Sequence, residues 1–316
     1  MKPTLKLWHT DYYKGWDRND CPITQLLSQR YSLEFDENPD LLIFLPFGFE
    51  HLRYRCRKLF VTGENVAPDF NICDHAFSFH YLDDVRNYRF PLGLWGEIRP
   101  AVHQNPEQEL SRKTKFCNFV YSNPSCQTRN EVFEQLSKYK QVDSGGRCMN
   151  NLGFRVEDKR AFQSQYKFSF AFENCASIGY TSEKLRDAFA ARTLPLYWGN
   201  PLVGNDFNAN AFLDYSNYPN VNAMVEHIIE LDNNDNLYLE FTKQPCYPDG
   251  VFPSAATPKK LLDQLETIVH STETPVSQEP GRWLHQMRYI TRHKNDIWSR
   301  RLQRWKYRLQ HRLKAA

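Results

Sequence analysis

The stretch YKFSFAFENCASIGYTSEKLRDAFAARTLPLYWGNP, residues 166–201, decides the fold of this 316-residue chain. It opens with a short aromatic strand and passes through a polar turn that contains Glu173 and Asn174. A helix start at residues 181–184 follows, and a second strand covers residues 193–198. The pattern predicts a strand–helix–strand unit whose polar residues lie at a strand end and a helix start, where ligands bind in open α/β sheets.

The composition bounds the class of protein. The hydrophobic share of 41% and the charged share of 24% are typical of soluble globular proteins, and the length allows two domains. Because no apolar run reaches transmembrane length and the first residues lack a signal-peptide pattern, we expect a cytoplasmic protein. The eight cysteines are scattered, without a CxxC pair or a zinc-type cluster, so we expect free thiols and no metal site.

Alternating short apolar runs and helical segments occur in both halves of the chain and predict two α/β domains. Between them, residues 97–114 are polar and without a period, which is typical of an interdomain linker. We therefore predict a first domain at residues 1–113, a second at 114–275 and a separate tail at 276–316.

The tail differs in charge from the rest of the chain. Residues 282–316 hold eleven Lys and Arg and one Asp, whereas the remaining residues have a net charge of −7. Apolar residues recur there at helical spacing among arginines, which predicts a basic amphipathic helix. Its side chains predicted to contact an anionic membrane are Trp298, Arg301, Trp305 and Arg308. Docking on the protein itself and nucleic-acid binding are the alternatives, and the acidic body disfavours the latter.

A carboxylate follows a predicted strand in the first domain. The strand covers residues 58–62, and Gly63 and Glu64 come directly after it. Glu64 is therefore placed to project into a cleft at the strand end. The alternative is that this carboxylate caps the next segment of a turn.

Two cationic residues lie at predicted helix starts. Backbone N–H groups at a helix N-terminus attract phosphate oxygens, and Thr181 or Ser182 is expected to cap the helix that carries Lys184. A lysine is unfavourable at this end of the helix dipole, which indicates another purpose. Arg129, at a second helix start, could hold the same phosphates with two hydrogen bonds. The alternatives are a solvated surface lysine and a surface arginine.

The residues FAFENCASIGYTSEKLRDAFAARTLPLYWGNP (170–201) resemble the donor-binding signature of the family-10 α-1,3-fucosyltransferases. That signature has Phe-Glu-Asn, a Tyr, Thr-Glu-Lys and a strand that ends in Pro, two apolar residues, any residue and Gly. Ser182 stands here in place of its Thr. In the N-terminal half, FVTGENVAPDFN (60–71) resembles a segment of the bacterial members that decorate lipopolysaccharide with Lewis-type antigens.

The resemblance implies a GT-B fold, in which two Rossmann-like domains face each other across a cleft, followed here by the basic amphipathic tail. The first domain would bind the acceptor and the second would bind GDP-fucose. The implied reaction is inverting transfer of L-fucose from GDP-β-L-fucose to O3 of GlcNAc in an N-acetyllactosamine-type glycan, as in a lipopolysaccharide O-antigen precursor.

Residue by residue, the resemblance assigns roles on both domains. Glu64 would be the general base, and Arg129 and Lys184 would hold the diphosphate. Further donor contacts would come from Asn174, Tyr180 and Glu183. Glu173 is expected to be structural, bonding the backbone of a turn.

The implied partners are GDP-fucose, a GlcNAc-containing glycan and an anionic membrane surface, without nucleic acid. No cofactor is expected to be required, and stimulation by a divalent cation is left open. The predicted location is peripheral, on the inner face of the cytoplasmic membrane. Two alternatives stand: the same donor with another acceptor (α-1,4 transfer to type 1 chains, or a chitobiose core), and a non-catalytic GDP-sugar-binding protein.

Overall fold

A computed structural model describes residues 1–13 and 15–294, which form two compact units. Among the described residues, the first unit comprises Met1–Leu92 and residues 254–294, and the second unit comprises Gly93–Pro253. The four residues predicted to contact a membrane, Trp298, Arg301, Trp305 and Arg308, lie outside the described residues.

The first unit is built on a six-stranded sheet whose described strand pairs are all parallel. Its elements from the N-terminal part of the chain are β1 (Thr4–Thr10), α1 (Pro22–Ser28), β2 (Ser32–Phe35), β3 (Leu41–Phe44), β4 (Arg57–Val61), β5 (His75–Ser78) and β6 (Asn87–Arg89). The strand order is β2-β1-β3-β4-β5-β6. Strand β3 is buried along its whole length, as central strands of a parallel sheet are.

The second unit contains a five-stranded parallel sheet of order β11-β10-β9-β7-β8. Its elements are α2 (Pro106–Ser111), β7 (Lys115–Phe119), α3 (Gln127–Leu136), β8 (Val142–Ser144), α4 (Lys159–Gln163), β9 (Tyr166–Phe172), α5 (Glu183–Ala190), β10 (Leu194–Trp198), β11 (Leu213–Asp214), α6 (Val221–Asn233) and α7 (Asp235–Thr242). Strand β9, the aromatic strand of the opening stretch, is the third of these five strands and therefore lies at the centre of the sheet. Phenylalanines of β7 and β9 lie in the buried core.

In both sheets the order of the strands reverses at the first strand, because the second strand is added on one side of it and the third on the other. In the first unit β1 lies between β2 and β3, and in the second unit β7 lies between β8 and β9. At such a switch point the segments that follow neighbouring strands diverge and leave a crevice outside their carboxyl ends. The predicted α/β class with two parallel sheets is confirmed. The sequence does not predict β2 and β6, which are partly exposed and lack an apolar run.

The compact units divide the chain at 92/93 and 253/254, whereas the sequence predicts boundaries at 113/114 and 275/276. The stretch predicted as a linker contains α2 and packs on the second unit, where the Ile98 amide donates to the Tyr247 hydroxyl at 2.8 Å. After Ser254 the chain returns to the first unit as α8 (Pro258–Val269). There His270 Nε2 lies 3.0 Å from the Tyr31 hydroxyl.

None of the eight cysteines, all of which lie in the described part of the chain, forms a disulfide. Residues 282–294 form a helical segment at the end of the described chain. Within the part of the chain that the structure describes, no helix is both long and apolar enough to cross a bilayer.

Candidate functional site

Glu173 organises the segment between β9 and α5. It directly follows β9 and is fully buried. Its Oε1 accepts a hydrogen bond from the Ser182 amide at 2.7 Å, and its Oε2 accepts from the Ser182 hydroxyl at 2.8 Å and from Lys184 Nζ at 3.1 Å. The prediction that Glu173 bonds the backbone of a turn is confirmed. Burial raises the pKa of Glu173 despite the opposing effect of the Lys184 charge.

Ser182 occupies the N-cap position of α5, but its hydroxyl does not cap the helix. It donates to Glu173 and lies 2.8 Å from Lys184 Nζ instead. The predicted side-chain cap by Ser182 or Thr181 is therefore wrong, because the buried carboxylate takes the hydroxyl. The amides of the first turn carry partial positive charge and are left without a side-chain cap, so this helix end is suited to an anion.

Lys184 is not a solvated surface residue, since its side chain is 13% exposed. Burial would lower its pKa, but the carboxylates of Glu173 and Glu183 outweigh burial and raise it. The pKa of Glu183 is lowered because the charges of Lys184 and Lys159 outweigh the opposite effect of burial. Lysine and first-turn carboxylate are thus both charged at neutral pH.

Arg129 lies in the first turn of α3 and is fully buried, so the alternative of a surface arginine is wrong. Its guanidinium stacks 3.9 Å from the ring centre of Tyr121. Nη1 donates to Asn174 Oδ1 at 3.2 Å, and Nη2 donates to the carbonyl of Asn123. It makes no ion pair with any described carboxylate, which is unusual for a buried arginine and favours an anionic ligand.

Arg129 and Lys184 are 55 residues apart in the chain but bond adjacent residues of one turn, Asn174 and Glu173. Arg129 follows β7 and Lys184 follows β9, and these strands form the switch point of the second unit. The positive charge of Arg129 lowers the pKa of Lys184, against the stronger raising effect of the carboxylates. Two cations and a helix N-terminus at one carboxyl edge are what a diphosphate requires.

The loop before α5 is fixed by a residue that sequence reasoning missed. Asn200 is buried and follows β10; its Oδ1 accepts from the Gly179 amide at 2.7 Å, and its Nδ2 donates to the Thr181 hydroxyl at 3.0 Å. Tyr180, between these two partners, is buried as well. The sequence does contain a signal for Asn200. It follows a glycine at the end of a predicted strand, as Glu64 does.

Glu64 lies in the first unit, just after β4. The Thr62 hydroxyl donates to the Glu64 carbonyl at 2.8 Å and accepts from the Glu64 amide at 3.0 Å. The Val66 amide donates to the same carbonyl at 2.7 Å. Backbone groups and Thr62 therefore hold this turn, and the Glu64 carboxylate makes no hydrogen bond or ion pair with any described residue. The alternative of a capping carboxylate is wrong.

Within residues 1–13 and 15–294, no group of three His, Cys, Asp or Glu side chains could hold a metal ion. The expectation that no cofactor is required stays a prediction, as do the roles of Glu64, Arg129 and Lys184.

Two family models match this chain in succession. The α-(1,3)-fucosyltransferase FucT N-terminal domain matches residues 7–95, and the C-terminal domain of glycosyltransferase family 10 (fucosyltransferase) matches residues 110–244. The two matches cover both parallel sheets.

Relatives and solved structures agree with these matches. An α-(1,3)-fucosyltransferase FucT of Helicobacter pylori is 33% identical over 78% of this chain and 61% of its own length. This chain therefore spans less than two thirds of that relative. A crystal structure of an α1,3-fucosyltransferase with GDP matches 88% of this chain and 94% of its own, with a TM-score of 0.72 and 28% identity. One with GDP-fucose matches 86% and 92%, with a TM-score of 0.70 and 28% identity. The chain belongs to the fucosyltransferases of glycosyltransferase family 10.

Proposed function

We propose that this protein transfers L-fucose from GDP-β-L-fucose to O3 of GlcNAc in an N-acetyllactosamine-type glycan, with inversion at the fucose anomeric carbon. The observation that carries the proposal is a pair of cations beside the N-terminus of α5, the buried Arg129 and the mostly buried Lys184. Relatives of this chain include α1,3-fucosyltransferases whose structures contain GDP and GDP-fucose.

The leaving group explains the need for two cations. When the fucosyl C1–O bond breaks, negative charge develops on the departing GDP. Lys184 and Arg129 stabilise this charge because Glu173, Asn174 and the Tyr121 ring fix them beforehand and little reorganisation is needed. The further donor contacts in this proposal come from Asn174, Tyr180 and Glu183.

Glu64 is the general base of the proposed reaction. The acceptor O3 forms the new bond to C1 and passes its proton to the Glu64 carboxylate as the bond to GDP breaks. The transition state resembles an oxocarbenium ion, and a single displacement needs no covalent intermediate. The free carboxylate of Glu64 is available for this role, since no described residue occupies it.

The same proposed donor site is compatible with two alternative functions. The donor could be used on another acceptor, by α-1,4 transfer to type 1 chains or to a chitobiose core. A GDP-sugar sensor without turnover would use the cations but has no use for Glu64. Release of GDP from GDP-fucose, measured with N-acetyllactosamine, lacto-N-biose and chitobiose, separates these cases. Release with the first acceptor alone supports the proposal, and binding without release from any acceptor favours the sensor.

Glu64→Gln tests the base directly. We expect kcat to fall by about 10²–10⁴, the usual contribution of a general base, while GDP-fucose affinity stays the same. Glu50→Gln, an exposed carboxylate of the same unit, is the matched control and should keep full activity. A Glu64→Gln enzyme with most of its transfer rate would remove Glu64 from this role.

We further propose that the protein attaches to the inner face of the cytoplasmic membrane, where a lipopolysaccharide O-antigen precursor would present the acceptor. The helical segment 282–294 leads into the basic tail and exposes Trp283, Leu284 and Met287. Apolar side chains beside a run of arginines favour an anionic membrane surface. Deletion of residues 298–316 should abolish binding to anionic vesicles and spare activity on a soluble trisaccharide. Loss of folding after deletion would favour the docked-helix alternative.

A further inference from the structure

The first unit contains a cavity of about 500 Å³ that begins at the residue after Glu64. One side is formed by residues 65–71. The other side is formed by three side chains of the helical segment 282–294, namely Tyr289, Arg292 and His293. Its volume is that of sites that hold small organic ligands.

The loop that forms one side of this cavity is held in place. The Asn71 amide and side chain both donate to Asp69 Oδ1, at 3.1 and 2.9 Å. The guanidinium of Arg86 lies 4.4 Å from the ring centre of Phe70, and Val66 and Phe70 pack on a buried apolar cluster. The cavity is therefore formed before any ligand binds, which limits the entropy cost of binding.

The opposite wall is supported by a buried pair at the switch point of the first unit. Tyr289 stacks on His293 with ring centres 5.7 Å apart, and it meets His51 edge to face at 5.3 Å. His51 Nδ1 lies 2.5 Å from Asp11 Oδ2. Asp11 follows β1 and has a φ of 61°, in the left-handed region that Asp adopts more readily than most non-glycine residues.

The lining has the chemistry that recognises an uncharged sugar. Tyr289 lines the cavity, and its aromatic ring can pack against the C–H face of a pyranose. Asp69 can accept hydrogen bonds from sugar hydroxyls and Arg292 can donate to them. Polar groups of both kinds around an aromatic ring favour a glycan over a purely apolar ligand.

We infer that this cavity holds the sugar unit that adjoins the fucose-accepting GlcNAc, so that the helical segment 282–294 helps to select the acceptor. The inference rests on the proposed function. O3 of the GlcNAc must come within hydrogen-bond reach of the Glu64 carboxylate, which leaves the next sugar beside the loop that starts at Asn65. Arg292 and Tyr289 are then acceptor-binding residues.

The test compares two soluble acceptors, a GlcNAc glycoside and N-acetyllactosamine, with wild type, Arg292→Gln and Tyr289→Leu. The quantity measured is the gain in kcat/KM that the second sugar provides. Arg292→Gln should reduce this gain roughly tenfold, as expected for one hydrogen bond from a charged group. Tyr289→Leu should reduce it severalfold, because the aromatic ring that packs on the sugar is lost. The KM for GDP-fucose should not change. Arg288→Gln, one helical turn away and not part of this cavity, is the matched control and should keep the wild-type gain.

The outcomes separate this inference from the function on which it rests. If wild type transfers fucose and both variants keep its preference for the disaccharide, the cavity does not hold the second sugar and the inference is overturned. If wild type transfers fucose to no acceptor, the proposed function fails and the inference fails with it. A reduced gain that Arg288→Gln reproduces would also overturn it, since the effect would then belong to the charge of the helix rather than to the cavity.

Discussion

The two units have their switch points at the same place in the sheet, but the side chains at these points differ in charge. In both sheets the first strand lies between the second and the third, so both present a crevice at the carboxyl edge. The second unit fills this edge with cations, Arg129 and Lys184. The first unit places the buried pair Asp11–His51 there and, one strand further on, the carboxylate of Glu64, which pairs with no residue within 1–13 and 15–294. The fold thus supplies a position, and the side chains decide which charge it binds.

The two edges also differ in how their buried charges are compensated. Lys184 keeps its proton because Glu173 and Glu183 surround it, so the positive charge is fixed before a ligand arrives. In the first unit, burial lowers the pKa of His51 despite the opposing effect of Asp11, so the imidazole is neutral near pH 7. The edge proposed to hold the leaving diphosphate therefore retains positive charge, whereas the edge beside the proposed base carries none on its histidine.

The largest effect should come from removing a cation of the second unit. Lys184→Met is expected to lower kcat/KM by roughly 10²–10³, because one preorganised donor to the developing charge is lost. It should also weaken GDP binding, as measured by calorimetry. Glu173 is then left buried without its cation, so a thermal melt of each variant is needed to separate stability from binding.

Lys243→Met is the control for this change. Lys243 lies in the same unit and pairs with Glu107 at 2.8 Å, but both side chains are more than half exposed. An exposed ion pair contributes at most about 1 kcal/mol to the free energy of unfolding, so its loss should leave the protein folded. Activity should then be unchanged. Equal GDP affinity of Lys184→Met and wild type would contradict the assignment of the phosphate site to this edge.

The next effect concerns the space around Glu173. A Cβ at Gly199 would lie 2.5 Å from Glu173 Cγ, so Gly199→Ala must displace the carboxylate that holds Ser182 and Lys184. Overpacking of this kind costs about 1–3 kcal/mol, and the KM for GDP-fucose should rise. In Gly204→Ala the new Cβ would meet, among the described residues, Ala209 alone, at 4.0 Å, so stability and KM should be kept. Equal melting temperatures for the two variants would show that Glu173 tolerates displacement.

Local sequence pattern located the edge of the second unit but not its internal support. Helix starts and strand ends made Arg129 and Lys184 candidates, and their predicted role came from the resemblance to the family-10 fucosyltransferases. The structure ties the two residues to adjacent positions of one turn, Asn174 and Glu173. Glu173 was expected to bond a turn backbone and does so, yet its contact with Lys184 was not foreseen. Hydrogen-bond partners between separate loops, such as Asn200 and Gly179, depend on tertiary contacts that no periodicity records.

The first unit was harder to predict for the same reason. Asp11 and His51 are 40 residues apart and become neighbours only because β1 and β3 pair in the sheet. The return of the chain to the first unit through α8 was missed too, since an amphipathic helix does not indicate which sheet it packs on. The polar composition of residues 97–114 suited a linker, but polar segments also cover the surface of a domain.

Acidification should lower the stability of the first unit more than that of the second, and this effect should be smaller than the preceding ones. Burial lowers the pKa of four histidines in the first unit, His9, His51, His75 and His80, and of His103 in the second. A histidine whose pKa is lowered by folding stabilises the protein fully above the unfolded value of about 6.5, and this contribution is lost as the pH falls. In the second unit Glu173 opposes this loss of stability. Its pKa is raised by burial, so protonation on acidification relieves the cost of burying its negative charge.

Hydrogen exchange at pH 7 and pH 5, corrected for intrinsic rates, should therefore show a greater loss of protection in the first unit. The pKa of His9 falls to about 4, so this residue alone should contribute on the order of 1–2 kcal/mol of the loss at pH 5. His9→Gln should reduce the loss in the first unit. His103→Gln, whose histidine also has a pKa of about 4, is the matched variant and should act on the second unit. A parallel loss of protection in both units would mean that buried histidines do not distinguish them, and that the contrast between the two edges is confined to the residues proposed to bind substrate.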